Sequence, residues 1–486
     1  MKRLVALLLV AAVESGSIAA AVQTPPPPAA PRETKVPQAV EKTLGNGLRV
    51  IVVPKPGLPL VAARLMIRTG AGADPKNRDG LAQMTANVLT KGTKTRTAEE
   101  IARGVEALGA TLSANAGWDS TSINISVMSA NLGKTMEYVA DVARNATFRK
   151  SELDRERARV LDSLQVTLEQ PDAVAAMVAS RLVFGAAPYG HNLEGLPSTL
   201  AKLTRDDLVK FHRAYYRPGN AVLVFAGDLA AEDAFALAEK LFGSWKSGAA
   251  AASAAESRRP ERAPLHPRVV VIDMPDAGNS AVVIAGPGIR RADPDYSKAI
   301  VANMVLGGGY SSRLNQEVRI KRGLSYGAES SFEPRADVGP FAATAQTKHA
   351  SAAELVQLVR GELDRLATTD VPEAELLPRK AAVIGGFAFS LETTSGIVNR
   401  VATLALYDQP LSDINQYVPR MQAVTAADVR AFAASHLASK DFSVVIAGNA
   451  KEFVEPLRAQ FEDVEVISQA ELDLSSPALR VRKKKE

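Results

Sequence analysis

The stretch that decides the fold runs from Gly80 to Thr93 and reads Gly-Leu-Ala-Gln-Met-Thr-Ala-Asn-Val-Leu-Thr-Lys-Gly-Thr. Its apolar spacing predicts a helix, and on that helix Gln83 and Asn87 share a face because they are four residues apart. Carboxamides at these positions are poor zinc ligands, since they cannot lose a proton to gain charge. Ala86, beside them, has no group that could act as a general base. On its own, the stretch is equally compatible with an ordinary amphipathic helix that never carried a functional site.

Three further runs accompany this helix. They are Asn46-Gly-Leu48 before the first predicted strand, Tyr216-Arg-Pro-Gly-Asn220 before another, and Leu306-Gly-Gly-Gly-Tyr-Ser-Ser-Arg-Leu314 in the second half. With them, nearly the whole chain after its first residues resembles the insulinase/pitrilysin family of metallopeptidases, whose metal-binding helix reads H-x-x-E-H. The resemblance implies that this chain keeps the fold around the family's metal-binding helix but has lost the residues that bind zinc.

The resemblance assigns each changed position a former role. Gln83 and Asn87 stand at the two histidine positions, and Ala86 stands at the glutamate position of the general base. Ser163, in Val160-Leu-Asp-Ser-Leu-Gln165, stands where the family takes a third ligand, a glutamate, from a later helix. All four are degenerate metal or base positions, so the resemblance implies no zinc, no other cofactor and no catalytic residue in this chain.

The 486 residues are too many for one core and predict two or more domains. Thr204, Phe211 and Gly227 recur with identical spacing as Thr425, Phe432 and Gly448, each set predicting a threonine-capped helix followed by a buried strand. This duplication, with local hairpins and helix pairs, predicts an α+β fold of two homologous repeats. Each repeat is expected to be an antiparallel β-sheet covered by α-helices on one face. The family resemblance implies that the two repeats together form one half of a clamshell-shaped assembly, with a partner chain as the other half.

Individual elements follow from local patterns. The predicted elements are strands at 48–53 and 61–67, a hairpin of 111–116 with 122–128, a capped helix from Thr97 to Gly109, and a long helix at 151–169. The predicted segments are a signal peptide at 1–21, a Pro-rich linker at 22–39, an N-terminal domain at 40–246, a linker at 247–267, a C-terminal domain at 268–470 and a basic tail at 471–486.

The first residues predict export. Lys2 and Arg3 precede an apolar run at 4–13, and Ala19-Ala-Ala21 offers a cleavage site, a pattern typical of a secretory signal peptide. Export and the absence of cysteine lead us to expect a periplasmic protein without disulfides. No later stretch predicts a membrane span. The net charge of +5 is small and scattered, so no nucleic-acid partner is expected, and the tail is predicted to be a solvated end.

Arg319 and Tyr326 carry the remaining functional prediction. Residues 311–322 predict a helix ended by Gly323, and residues 324–332 predict a strand, which places Arg319 in the helix and Tyr326 in the strand. A guanidinium can bind a carboxylate or a peptide carbonyl through two hydrogen bonds, and a phenol can donate to a developing oxyanion. Without a family context, the two read as a surface arginine beside an edge-strand tyrosine. The resemblance implies that both bind substrate opposite a zinc site.

Three functions remain open. Some bacterial members of the family work as two chains, and the resemblance implies a non-catalytic, substrate-binding subunit of a periplasmic zinc metallopeptidase that cleaves peptides or unfolded polypeptides. A homologous partner would then hold the zinc, and this chain would be inactive alone. The alternatives are a peptide-binding or scaffold protein without peptidase activity, and a lone peptidase with a rebuilt metal site. Ligand loss combined with retention of Arg319 and Tyr326 favours the first.

Overall fold

The computed structural model describes residues 38–246 and 266–481. The predicted signal peptide, most of both predicted linkers and residues 482–486 lie outside the described residues. The strands are β1 Val40–Thr43, β2 Arg49–Pro54, β3 Leu60–Ile67, β4 Thr111–Ala116, β5 Thr121–Met128, β6 Ala221–Gly227, β7 Val269–Asp273, β8 Ser280–Pro287, β9 Ala328–Phe332, β10 Pro340–Thr347, β11 Ser443–Gly448 and β12 Glu465–Ser468. The helices are α1 Leu81–Leu89, α2 Ala98–Ala107, α3 Leu132–Asn145, α4 Lys150–Leu168, α5 Pro171–Phe184, α6 Pro197–Leu200, α7 Arg205–Tyr215, α8 Ala231–Phe242, α9 Tyr296–Leu306, α10 Arg313–Asn315, α11 Ala352–Thr368, α12 Glu373–Ser390, α13 Thr394–Leu406, α14 Asp413–Ala423, α15 Ala426–His436 and α16 Val454–Arg458.

These elements form two six-stranded sheets, ordered β1-β2-β6-β3-β5-β4 and β12-β7-β11-β8-β10-β9. The predicted α+β class with two repeats is confirmed, but the sheets are mixed rather than wholly antiparallel. Strand β6 lies between β2 and β3 and runs parallel to β2, and β7 is parallel to both β11 and β12. The reason is connectivity: β6 returns to the sheet after a long helical crossover, and a crossover of that length permits a parallel neighbour.

Each sheet is covered on both faces, and the second face is covered by a helix from the other repeat. Helix α13, from the second half of the chain, packs on the outer face of the first sheet, while α5, from the first half, packs on β8 and β11 of the second. The expectation of helices on one face was therefore wrong. Strand β6 is buried at every position, and a strand that is apolar throughout needs cover on both sides.

The repeated helix–strand unit is present in both halves. The Thr204 hydroxyl accepts a hydrogen bond from the Asp207 amide at 3.2 Å, and the Thr425 hydroxyl accepts one from the Asp428 amide at 3.1 Å. Each capping box opens a helix, α7 or α15, that is followed by a fully buried strand. The two halves thus use the same local sequence pattern for the same structure.

Asp119, in the turn between β4 and β5, joins the two halves. Its carboxylate accepts hydrogen bonds from the Tyr189 hydroxyl at 2.5 Å, the Tyr407 hydroxyl at 3.0 Å and the Ala336 amide at 2.9 Å. Burial raises the pKa of both tyrosines, so both phenols stay protonated and able to donate. Beside them, the Arg335 guanidinium lies 4.6 Å from the centre of the Trp118 ring. We call these contacts the Asp119 junction.

The first part of the segment 471–486 packs on the second repeat as far as Arg480. Leu479 is fully buried in the core formed by α5 and the second sheet, and the Arg480 guanidinium donates to the Val466 carbonyl at 2.6 Å. The charged end of the sequence hides this, because the apolar side chains of Leu472, Leu474 and Leu479 precede the run of cations and pack inward. The basic residues after position 481 lie outside the described part of the chain.

Across residues 38–246 and 266–481, no single helix is both long enough and apolar enough to cross a membrane. Helices α12 and α13 meet the length and composition criteria only when they are taken together, and they are bent by 108° relative to each other.

His212, on α7, gives the fold a predictable pH dependence. Its Nε2 donates to the Ala143 carbonyl at 2.8 Å, and burial lowers its pKa to about 4. The imidazole of the unfolded chain is therefore protonated below about pH 6.5, whereas that of the folded chain stays neutral until about pH 4. The free energy of unfolding consequently falls as the pH drops from 6.5 towards 4. We expect a loss of about 2 kcal/mol between pH 7 and pH 5 from this group. Urea unfolding at the two pH values measures it, and His212→Gln, which cannot titrate, should show a smaller difference than the parent.

Candidate functional site

Helix α1 carries the degenerate positions, and its start is fixed by Asp74. The Asp74 carboxylate accepts from the amides of Gly80 and Ala82, both at 2.8 Å, and so caps the free N–H groups of the first turn. Burial raises the pKa of Asp74, and His191 Nε2 lies 3.5 Å from its Oδ2. Gly80 has a φ of +90°, where a glycine is favoured. The local sequence thus fixes the orientation of α1.

The structure brings three of the four degenerate positions together. Gln83, Asn87 and Ser163 line one cavity of about 100 Å³, between α1 and α4. The Gln83 amide nitrogen donates to the Asn87 carbonyl oxygen at 2.8 Å, and the Gln83 oxygen accepts from the Ala116 amide at 2.9 Å. Ala86 is fully buried on the same helix. Both carboxamide oxygens are therefore engaged in hydrogen bonds within the protein.

This donor set does not fit zinc. The two carboxamides are neutral and Ser163 offers only a hydroxyl. The lining also contains one carboxylate, Glu194, but its charge is opposed by the Arg159 guanidinium of the same cavity, so a single anionic ligand beside a cation is too little for zinc. In the part of the chain that the structure describes, no three His, Cys, Asp or Glu side chains are grouped closely enough to hold a metal ion. We therefore derive no metal chemistry from this cavity.

Restoring the ligands should restore zinc binding. We expect the triple variant Gln83→His, Asn87→His, Ser163→Glu to bind about one zinc ion per chain after dialysis. Two imidazoles and one carboxylate, all common zinc ligands, would then line one cavity. Metal analysis of the purified protein measures this. Ala86 is left unchanged so that no buried carboxylate is added. A variant holding no more zinc than its parent would show that the frame around α1 has also lost the required geometry.

Arg319 and Tyr326 lie around a second site, on the other repeat. Helix α10 continues as a π-helical turn, Gln316–Lys321, which carries Arg319, and Gly323 ends it with a φ of +61°. Tyr326 is not in the strand, contrary to prediction, because β9 begins at Ala328. The Ser325 hydroxyl bonds both the amide at 3.1 Å and the carbonyl at 2.6 Å of Gly327, and this local turn holds the preceding segment out of the sheet.

The Arg319 guanidinium lies between two aromatic rings. Its central carbon is 4.6 Å from the centre of the Tyr326 ring and 5.0 Å from that of Tyr310. Tyr310 is 66% exposed and Tyr326 is 89% exposed. Among the described residues, no hydrogen-bonding or carboxylate partner of the Arg319 side chain is present. The rings therefore orient a cation whose N–H groups remain available to a ligand.

These three side chains stand at a cleft of about 940 Å³. Its walls are the glycine-rich turn 307–309, the π-helical turn, strands β8 to β10, and Asp172 and Ala176 of α5 from the other repeat. Gly307 must be glycine here, since a Cβ would lie 2.3 Å from the Ser330 amide nitrogen of β9. The turn thus packs against the edge of the sheet and places Tyr310 beside Arg319.

Sequence reasoning missed Tyr310 and Asp119. Tyr310 had a signal, an aromatic residue directly after a glycine run and within reach of a predicted helix carrying Arg319. Asp119 had only its position in a hairpin turn, and its partners come from residues 70, 217 and 288 positions further along the chain.

Comparison with known proteins agrees with this architecture. Residues 49–195 match the family model of insulinase (peptidase family M16), and residues 202–382 match that of the peptidase M16 inactive domain. An uncharacterized zinc protease of Streptomyces coelicolor is 27% identical over 80% of this chain and 85% of its own length. An uncharacterized zinc protease of Mycobacterium tuberculosis is 28% identical over 86% of this chain and 93% of its own length.

Solved structures match the fold. A crystal structure of a peptidase M16 inactive domain from Pseudomonas fluorescens superposes with a TM-score of 0.79 and 28% identity, over 84% of this chain and 98% of that one. A protease from Helicobacter pylori superposes with a TM-score of 0.78 at 23% identity, which supports the fold alone. The chain therefore belongs to the insulinase family of M16 peptidases, as a member whose described residues hold no metal-binding group.

Proposed function

We propose that this chain is the non-catalytic, substrate-binding subunit of a periplasmic zinc metallopeptidase, whose zinc site is supplied by a homologous partner chain. The observation that carries the proposal is the Arg319 guanidinium, held between Tyr310 and Tyr326 at the cleft without a partner among the described residues. A purely structural arginine would be expected to have its hydrogen bonds satisfied within the fold.

The substrate is a peptide or an unfolded polypeptide. The cleft of about 940 Å³ is in the upper range of ligand-sized cavities and accommodates a stretch of chain rather than a single side chain. Arg319 can donate to a peptide carbonyl or a carboxylate, and Asn303 and Gln346 line the same cleft with further amide groups. These groups suit the repeated carbonyl and amide pattern of a polypeptide.

The division of labour follows from the two sites. The cavity at Gln83 and Asn87 supports neither metal binding nor general-base chemistry, so this chain contributes binding and orientation. In the complex, Tyr326 would donate its phenolic hydrogen to the oxygen on which negative charge develops during peptide cleavage, a contact that strengthens in the transition state. Metal ligands and the general base belong to the partner.

Affinity purification of the tagged mature chain from its native cells, with mass spectrometry, tests the assembly. We expect a similar chain bearing H-x-x-E-H to co-elute, together with peptidase activity that a chelator removes and added zinc restores. The chain produced alone should bind peptide without cleaving it. If the chain elutes alone and the peptide-binding measurement still succeeds, a binding or scaffold protein replaces the subunit as the better description. Osmotic-shock fractionation of the same cells tests the periplasmic location.

A further inference from the structure

A third pocket lies where the segment before α9 and the start of α9 meet α12, α13 and α14. We propose that this pocket, which we call the seam pocket, binds a small organic anion with a carboxylate on an aromatic body. It is lined by Arg291, Tyr296, Phe387, Arg400, Gln409 and Tyr417, among others, and its volume is about 330 Å³. This volume is within the range of small-molecule sites. The proposal is independent of the function proposed above.

The charges of the seam pocket favour an anion. Its lining contains three guanidinium groups and two carboxylates. Arg420 is paired with Asp413 through two hydrogen bonds of 3.0 Å, and the Asp293 carboxylate accepts from the Asp295 amide at 2.8 Å. Arg291 and Arg400 have no carboxylate within salt-bridge distance among the described residues. Partly buried cations without a counter-charge are unfavourable, and a bound carboxylate would offset that cost.

The two unpaired guanidinium groups lie against aromatic rings that line the pocket. The Arg400 guanidinium is 5.5 Å from the centre of the Tyr417 ring, and that of Arg291 lies on Tyr296. Burial raises the pKa of Tyr417 to about 12, and the positive charges of both arginines oppose that rise. The Arg400 Nε donates to the Ser390 hydroxyl at 3.1 Å, which fixes the side chain. Its two terminal nitrogens have no hydrogen-bond acceptor among residues 38–246 and 266–481 and are available to a ligand. A carboxylate between the two cations could accept from each.

Aromatic faces provide the rest of the seam pocket. Phe387 and Tyr417 are stacked with ring centres 4.2 Å apart, and the Arg291 guanidinium lies 4.0 Å from the centre of the Tyr296 ring. The Gln409 side-chain oxygen is buried without a hydrogen-bond donor among the described residues. A ligand with an aromatic ring, a carboxylate and one N–H or O–H donor would satisfy all three features. An N-acylated aromatic amino acid has this chemistry.

Isothermal titration of the mature chain with N-acetyl-L-phenylalanine tests the proposal. We expect saturable binding of the acid, and binding of N-acetyl-L-phenylalanine amide that is at least about tenfold weaker because the amide cannot form charge-assisted hydrogen bonds. This comparison uses the unchanged protein and so does not depend on any variant folding. Absence of saturable binding, or equal affinity for acid and amide, overturns the proposal.

A pair of neighbouring arginines supplies the matched variants. Arg291→Gln should weaken binding of the acid about tenfold and change binding of the amide little. Arg290→Gln removes the same charge from the adjacent residue, whose side chain bonds Asp337 at 3.0 Å outside the pocket, and should leave both affinities unchanged. Equal effects of the two variants would assign the binding to general surface charge and refute the seam pocket.

Discussion

In the two-chain enzyme proposed above, Arg319→Ala is expected to lower kcat/KM by about 10²- to 10³-fold while the two chains still assemble. The substitution removes the unpartnered cation between Tyr310 and Tyr326 and leaves the surrounding backbone unchanged. Because the guanidinium has no hydrogen-bonding partner among the described residues, its loss should cost the fold little. Steady-state cleavage of a quenched fluorescent peptide measures the first quantity, and size-exclusion chromatography of the mixed chains measures the second.

Neighbouring substitutions separate binding from general charge. Arg322→Ala removes a cation three residues further on, which is paired with Glu317 at 2.8 Å, and should leave cleavage nearly unchanged. Arg319→Lys keeps the charge but loses the planar group that lies between the rings, so we expect an intermediate rate. Equal rates for Arg319→Ala and the unchanged complex would refute the substrate-binding role of this site without refuting assembly, which the chromatography reports separately.

Tyr326 acts at a different step from Arg319 in this proposal, and its effect should differ in kind. Tyr326→Phe keeps the ring that contacts the Arg319 guanidinium but removes the hydroxyl, so binding of the ground state should be largely preserved. A phenol that donates only to the developing oxyanion affects kcat and leaves KM near its original value. A change confined to KM would assign the hydroxyl to ground-state binding instead.

Local patterns in the sequence predicted the parts of the structure that are determined locally. The Thr97–Glu100 capping box and Gly109, with its φ of +63°, bound α2 as expected, and the threonine caps of α7 and α15 marked the repeat. Helix α1 followed from its apolar spacing, and the helix then places Gln83 and Asn87, four residues apart, on one face. The proximity of Ser163 followed from the family resemblance, since 76 residues separate it from Asn87 and no local pattern measures that distance.

Packing between residues far apart in the sequence could not be predicted from local patterns. Whether β6 pairs with β2 depends on where a chain of more than 160 intervening residues returns, and no local periodicity encodes that. The packing of α5 and α13 on each other's sheets had one signal, the uninterrupted apolar runs of β2 and β6, which require cover on both faces. Tyr326 lies outside β9, although residues 324–332 predict a strand, because the Ser325 side chain forms hydrogen bonds within the turn that precedes β9.

Asp119→Ala is expected to lower the free energy of unfolding by about 2–4 kcal/mol, the largest stability effect that we predict. The carboxylate accepts three hydrogen bonds, and its removal leaves the Tyr189 and Tyr407 hydroxyls, both partly buried, without their acceptor. Asp119→Asn keeps the shape of the side chain and one acceptor oxygen, so its free energy of unfolding should lie between those of Asp119→Ala and the parent. Denaturant unfolding followed by fluorescence measures the difference. Asp206→Ala removes an exposed carboxylate that forms an ion pair with Lys210; it is the control and should leave the unfolding midpoint nearly unchanged.

The same substitution should also reach the substrate cleft, because the Asp119 junction and helix α5 are parts of one inter-repeat contact. Tyr189, which donates to Asp119, packs against Phe184 at the end of α5 with ring centres 5.7 Å apart, and Asp172 and Ala176 at the start of α5 form one wall of the cleft. Loosening the junction should therefore give that wall more freedom relative to Arg319, which lines the same cleft. In the two-chain enzyme proposed above, Asp119→Ala should raise KM more than it lowers kcat, since binding needs both walls of the cleft while the metal ligands and the general base are assigned to the partner. If stability falls as expected while KM is unchanged, the junction holds the halves together without shaping the cleft.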